Sequence, residues 1–133
     1  MPRAPATYRP HGGSRQADRR LYDLERGSAA RRLYGPAWRR AVRVHLRTHR
    51  LCLYCALDGR VTAATLVDHL YPHRGDVEVF WLALLWVSSC AACHSGMKQR
   101  VEAAGVVAID ALARRLGMPT LSEALDAYPG VRD

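Results

Sequence analysis

The sequence predicts a small α+β domain that is clamped by a metal ion and flanked by α-helices. Two observations carry this. The four cysteines form two CxxC pairs, Cys52 with Cys55 and Cys90 with Cys93. Apolar residues also change period along the chain, helical before Cys52, strand-like after it, and helical again after Cys93. Length agrees: 133 residues make one domain of ordinary size, or a smaller one with tails, whose modest core gains from a prop.

Residues 1–28 carry Pro2, Pro5, Pro10, Gly12, Gly13 and Gly27 without sustained apolar periodicity, and read as a basic, flexible tail. From Pro36 to about Arg50 the pattern is helical. Trp38, Val42 and Leu46 recur every four residues, while Arg39, Arg40, Arg43, Arg47 and Arg50 occupy the other faces. "LCLYCALDGRVTAATLVDHL" then reads as a metal-binding turn, a turn at Asp58 and Gly59, and a strand over about 61–67 that ends at Asp68 and His69. Neighbouring strand side chains face opposite ways, so for both to serve one site the strand must end or bulge at that pair. The greasy run 79–87 fits strand and helix equally. "HSGMKQRVEAAG" predicts a helix from near His94 to Gly105, and Ile109, Leu112 and Leu116 mark another. "TLSE", Thr120 to Glu123, is a capping box for a last helix with Leu121, Leu125 and Tyr128 inward. Residues 105–133 are thus expected to form a helical extension packed on the core.

Two residues between thiolates let both sulfurs of a tight turn face one ion, and two such turns complete a tetrahedron, so the cysteines predict structural zinc. A redox CxxC needs a single pair in a thioredoxin-like βαβ setting, and disulfides are rare inside cells. Asp68, His69 and His94, the residue after Cys93, flank these pairs. A zinc clamp would bring all three together. His73 reads as a loop residue, and His11, His45 and His49 as surface or phosphate-contacting groups. Trp38, Trp81 and Trp86 read as core rather than base-stacking side chains.

The formal charge is +8, and residues 1–50 hold 13 arginines against three acids. Guanidinium pairs with phosphate in a bidentate fork, so this block is an electrostatic handle for nucleic acid, or else a solvated tail. The longest apolar run is far short of the roughly 20 residues of a membrane span, and no hydrophobic signal segment opens the sequence; a soluble, cytoplasmic protein is expected.

"WRRAVRVHLRTHRLCLYC", "VDHLYPHRGD", "FW" and "CAACHSGMKQR" resemble the HNH endonucleases of phage and prophage type, over about Tyr34 to Arg100. The resemblance implies a ββα-metal, treble-clef-like core over about 29–104, stapled by a four-cysteine zinc site. It implies that Asp68 and His94 hold a catalytic divalent ion (Mg²⁺, Mn²⁺ or Ni²⁺) and that His69 is the general base. An imidazole with an ordinary pKa of about 6.5 suits that role near neutral pH. DNA is the implied substrate, gripped by Arg39, Arg40, Arg43, Arg47, Lys98 and Arg100, and the phage packaging terminase is the implied protein partner. The setting implied is the cytoplasm of a bacterial host.

The asparagine that gives the family its middle letter, and braces the loop carrying the base, falls here on Leu85, and the chain contains no asparagine at all. Ser88, Ser89 or a backbone carbonyl must then hold His69 for a working, or weakened, nuclease. The alternative is a non-catalytic, zinc-stabilised nucleic-acid-binding module; a thiol-redox protein is a third and poorer reading.

Overall fold

Proline at the start of helix α1 (Pro36–Thr48) loses nothing, because the first backbone N–H groups of a helix have no partner to give up. The computed structural model describes residues 30–128, so the expected tail at 1–28 and His11 lie outside the described residues. The apolar stripe of α1 turns inward as its period requires: Trp38, Val42 and Leu46 pack with Val67, Phe80 and Trp86. Arg39, Arg40, Arg43 and Arg47 stay exposed on the remaining faces.

Cys52 caps the short helix α2 (Leu53–Leu57), its sulfur accepting the Cys55 N–H at 3.4 Å. The strand expected over 61–67 forms later and shorter, as β1 (Leu66–His69). Its partner β2 (Trp86–Ser89) offers only four residues to pair with. The segment upstream is held singly instead, through the Leu51–Ala63 bridge and the Cys52 N–H to the Thr62 carbonyl.

β1 and β2 form an antiparallel two-stranded sheet with Asp68 opposite Val87 and His69 opposite Trp86. The strand ends at this pair, as expected, but the ladder takes in both residues before it stops and no bulge separates them. Alternation therefore sends the pair to opposite faces. Asp68 shares its face with Val87, which belongs to a cluster with Cys52, Tyr54, Cys55, Leu70, Leu85 and Cys93. His69 shares its face with Trp86, in the α1 cluster.

The run 79–87 divides three ways. One helical turn, α3 (Val77–Phe80), is capped by the Asp76 carboxylate, which accepts the Glu78 and Val79 N–H groups at 2.9 and 3.3 Å. A 3₁₀ turn (Ala83–Leu85) follows, and then β2. After β2 comes one continuous helical run: α4 (Ala91–Cys93), a widened π turn (His94–Lys98) and α5 (Gln99–Ala104). It starts ahead of His94 and stops at Gly105, whose φ of +105° suits glycine alone.

Helices α6 (Val106–Leu116) and α7 (Leu121–Ala127) complete the larger cluster, to which Ile109, Leu112, Ala113 and Ala124 contribute buried side chains. The Thr120 hydroxyl accepts the Glu123 N–H at 3.2 Å, half of the predicted capping box. Tyr128, expected inward, is 47% exposed, and Ala124 takes the buried position instead. Trp81 is a second correction: it is 37% exposed, while Trp38 is buried and Trp86 half-buried. Among the described residues no helix is long and apolar enough to cross a membrane.

Candidate active site and metal centre

The two CxxC turns meet. Cys55 Sγ lies 3.8 Å from Cys90 Sγ and 3.5 Å from Cys93 Sγ, and the four sulfurs all fall within 4.8 Å of one another. Four sulfurs bound at about 2.3 Å around a tetrahedral ion stand about 3.8 Å apart, so the cluster has the dimensions of a four-coordinate centre. None of the cysteines is in a disulfide. The Cys93 backbone N–H is the main cause that draws the Cys90 thiol down to about 7, whereas burial pushes Cys93 up. Four thiolates so close repel each other strongly, and a dication removes that repulsion. The donor set fits zinc.

On the same face as this cluster, Asp68 is 5% exposed and its two carboxylate oxygens have different neighbours. Oδ2 accepts the Tyr54 hydroxyl at 2.7 Å and faces Lys98 Nζ at 3.2 Å. Oδ1 faces His94 Nε2 at 3.5 Å. Burial drives the Asp68 carboxyl above its ordinary pKa, against the pull of Lys98, Tyr54 and His94. Two ligand atoms each about 2.1 Å from one ion stand about 3.0 to 3.4 Å apart, close to the observed Oδ1 to Nε2 separation. The His94 side chain is 45% exposed, leaving this pair accessible from solvent.

Lys98 departs from expectation. Anticipated as a phosphate contact, it is 1% exposed and serves the carboxylate instead. Its ammonium has three donors and three acceptors around it: Asp68 Oδ2, the His69 carbonyl at 3.0 Å and Glu102. Three polar partners replace the water that burial removes, which is what makes the position tolerable.

His69 occupies the opposite face. Trp38 stacks on its ring at 4.7 Å and 21°, and Phe80 lies 4.5 Å away. Its Nε2 donates to the Phe80 carbonyl at 3.0 Å. Burial, then the neighbouring His73, lowers its pKa to about 4 despite that bond. The imidazole is therefore neutral near pH 7, the form a proton acceptor needs. His73 is also fixed: Nδ1 accepts the Gly75 N–H at 3.0 Å, so Nε2 carries the proton and meets the Tyr34 hydroxyl at 2.7 Å.

Of the predicted residues, the fold joins the four cysteines, and separately Asp68, His94 and Lys98; it sets His69 across the sheet from these. Arg39, Arg40, Arg43, Arg47 and Arg100 are exposed. Ser88 and Ser89 do not reach His69; their hydroxyls donate to the His49 and Cys90 carbonyls. Sequence reading assigned no role to Tyr54 or Glu102, and of the three braces named for His69 the backbone carbonyl is the one found, that of Phe80. Position between paired cysteines was no guide to Tyr54, since Ala91 and Ala92, between the other pair, are exposed.

No family model matches this sequence, and none of the curated proteins matches it significantly. A solved structure does match in three dimensions: the HNH endonuclease of the deep-sea thermophilic bacteriophage GVE2, crystallised with a manganese ion. The TM-score is 0.55 at 25% identity, over 64% of this chain and 95% of that one. This chain has the HNH-endonuclease fold. The HNH core of the sequence reading is thus present as a small α+β unit, in which β1, β2 and the helical run from Ala91 make up the ββα element.

Proposed function

We propose that this chain is a metal-dependent HNH-type endonuclease that hydrolyses phosphodiester bonds in DNA. The single observation that carries the reading is the approach of Asp68 Oδ1 and His94 Nε2 to 3.5 Å within an HNH fold, one partner buried and the other open to solvent. These two residues hold the catalytic ion, of the Mg²⁺, Mn²⁺ or Ni²⁺ class, and the four cysteines hold structural zinc. When bound, the catalytic ion polarises a phosphate oxygen and offsets the charge that grows on the leaving oxygen.

The chain's own residues do the rest. His69, neutral and held by the Phe80 carbonyl on the face opposite Asp68 and His94, takes the proton of a water that attacks the phosphorus in line, from the side away from the leaving oxygen. Tyr54 and Lys98 occupy Asp68 Oδ2 and so direct the free Oδ1 toward His94. Arg39, Arg40, Arg43, Arg47 and Arg100 contact backbone phosphates, which positions the duplex without reading its sequence. The bacterial cytoplasm is the proposed setting. The phage terminase is the protein partner to test, by co-purification.

Leu85 favours one competing reading, a DNA-binding module that has lost catalysis. Plasmid nicking separates the two. The zinc-loaded protein should nick supercoiled DNA with Mg²⁺, Mn²⁺ or Ni²⁺, and His69→Ala should abolish nicking while leaving DNA binding and zinc content intact. Binding without cutting under all three ions would overturn the nuclease reading.

A further inference from the structure

We propose that Trp86 is the positioning residue that braces His69 in this chain, through the carbonyl of Phe80. The inference rests on the nuclease reading for its kinetic consequence, but its geometry stands apart from it. The Phe80 carbonyl has two partners, His69 Nε2 at 3.0 Å and Trp86 Nε1 at 3.0 Å. Indole nitrogen only donates and a carbonyl only accepts, so the direction of both bonds is fixed. His69 must carry its proton on Nε2, and its lone pair therefore lies on Nδ1, the atom left to accept a proton.

The carbonyl needs an anchor. It ends α3, a single turn of four residues that gains little from its own hydrogen bonds, and the last carbonyls of a helix have no partner within it. Trp86 supplies the anchor from a well-fixed place, since it is the direct cross-strand partner of His69. Its ring also meets the edge of Trp38 at 5.1 Å and 88°, and Trp38 is the ring that stacks on His69. One indole thus restrains both the hydrogen-bond partner and the stacking partner of the imidazole.

Leu85, at the position where the family has its asparagine, is buried in the other cluster and offers no side-chain donor. The donor comes instead from the next residue, which alternation along β2 points to the His69 face. Were Trp86 only packing, a phenyl ring would serve as well; the N–H is what sets it apart.

The test is Trp86→Phe in the full, zinc-loaded chain, with Trp81→Phe as the control, because the Trp81 indole makes no bond to this carbonyl among the described residues. Single-turnover plasmid cleavage with Mn²⁺ should slow by about 10- to 100-fold in Trp86→Phe, the scale expected for misplacement of a catalytic group by a fraction of an ångström to about 1 Å. DNA affinity, zinc content and Trp81→Phe kinetics should stay within about twofold of wild type. Long-range ¹⁵N–¹H spectra of the imidazoles give a readout independent of cleavage: wild-type His69 should be the Nε2–H tautomer, and Trp86→Phe should mix the two. An unchanged tautomer and rate in Trp86→Phe overturns the proposal. So does an Nδ1–H tautomer in the wild type, a result that holds even if the variant fails to fold. If wild type cuts no DNA, the nuclease reading fails and the tautomer result alone decides the brace.

Discussion

Replacing Lys98 by methionine keeps most of the buried aliphatic stem and removes the ammonium. The side chain is 1% exposed and the Asp68 side chain 6%, so solvent takes over little of the lost interaction. Glu102, with a third of its side chain exposed, can rehydrate; the His69 carbonyl loses a donor, and Asp68 keeps only Tyr54 and the contact to His94. Removing one member of a buried ion pair costs about 3–5 kcal/mol. Asp68 already sits above its ordinary pKa and can relieve part of that loss by taking up a proton, so the lower half of the range, about 3 kcal/mol, is expected. With a urea dependence of about 1.5 kcal/mol per molar, the midpoint should fall by about 2 M at pH 7.5 in zinc buffer. The double-mutant cycle with Asp68→Asn isolates the pair. The double variant has no unpaired buried charge on the carboxylate side, so the two losses should fall short of additivity by at least about 1.5 kcal/mol. Additivity to within about 0.5 kcal/mol would mean that Lys98 and Asp68 do not interact, and the description of the site as a carboxylate with one occupied and one free oxygen would fail.

Three further outcomes are expected. The folded protein should carry one zinc per chain, and a strong chelator should unfold it, because metal binding of the order of 10–16 kcal/mol is as large as the whole stability of a small domain, about 5–15 kcal/mol; retention of the far-ultraviolet circular dichroism after metal loss would refute this. His69 has a folded pKa of about 4 against about 6.5 when unfolded, so the unfolded chain binds more protons between those values and stability falls as pH drops through the window. Relative to His69→Gln, wild type should lose about 2 kcal/mol between pH 7.5 and pH 5, read by urea unfolding; a parallel pH dependence of the two proteins would contradict burial of a neutral imidazole. Arg39→Ala and Arg43→Ala should each weaken DNA binding uniformly across sequences and reduce the salt slope of log K by about 1, measured by fluorescence anisotropy; unchanged slopes would remove α1 from the interface.

The sequence alone determined the parts whose chemistry is local. Two residues between cysteines, twice over, specify a four-sulfur centre wherever the chain goes. A four-residue recurrence of Trp38, Val42 and Leu46 specifies the buried face of α1, and the TLSE pattern and Gly105 specify a helix start and a helix stop. Tertiary structure decided what depends on register and on contacts far apart in the chain. Whether Asp68 and His69 shared a face turned on whether the strand continued through them, and that was set by pairing with Trp86 and Val87. Lysine reads as a surface residue in any sequence; only the meeting of Asp68, Glu102 and the His69 carbonyl makes burial of Lys98 affordable. The brace on His69 had no signature at the residue where the family keeps it, because a main-chain carbonyl carries no letter and Trp86 reaches it only once α3 and β2 have folded against each other.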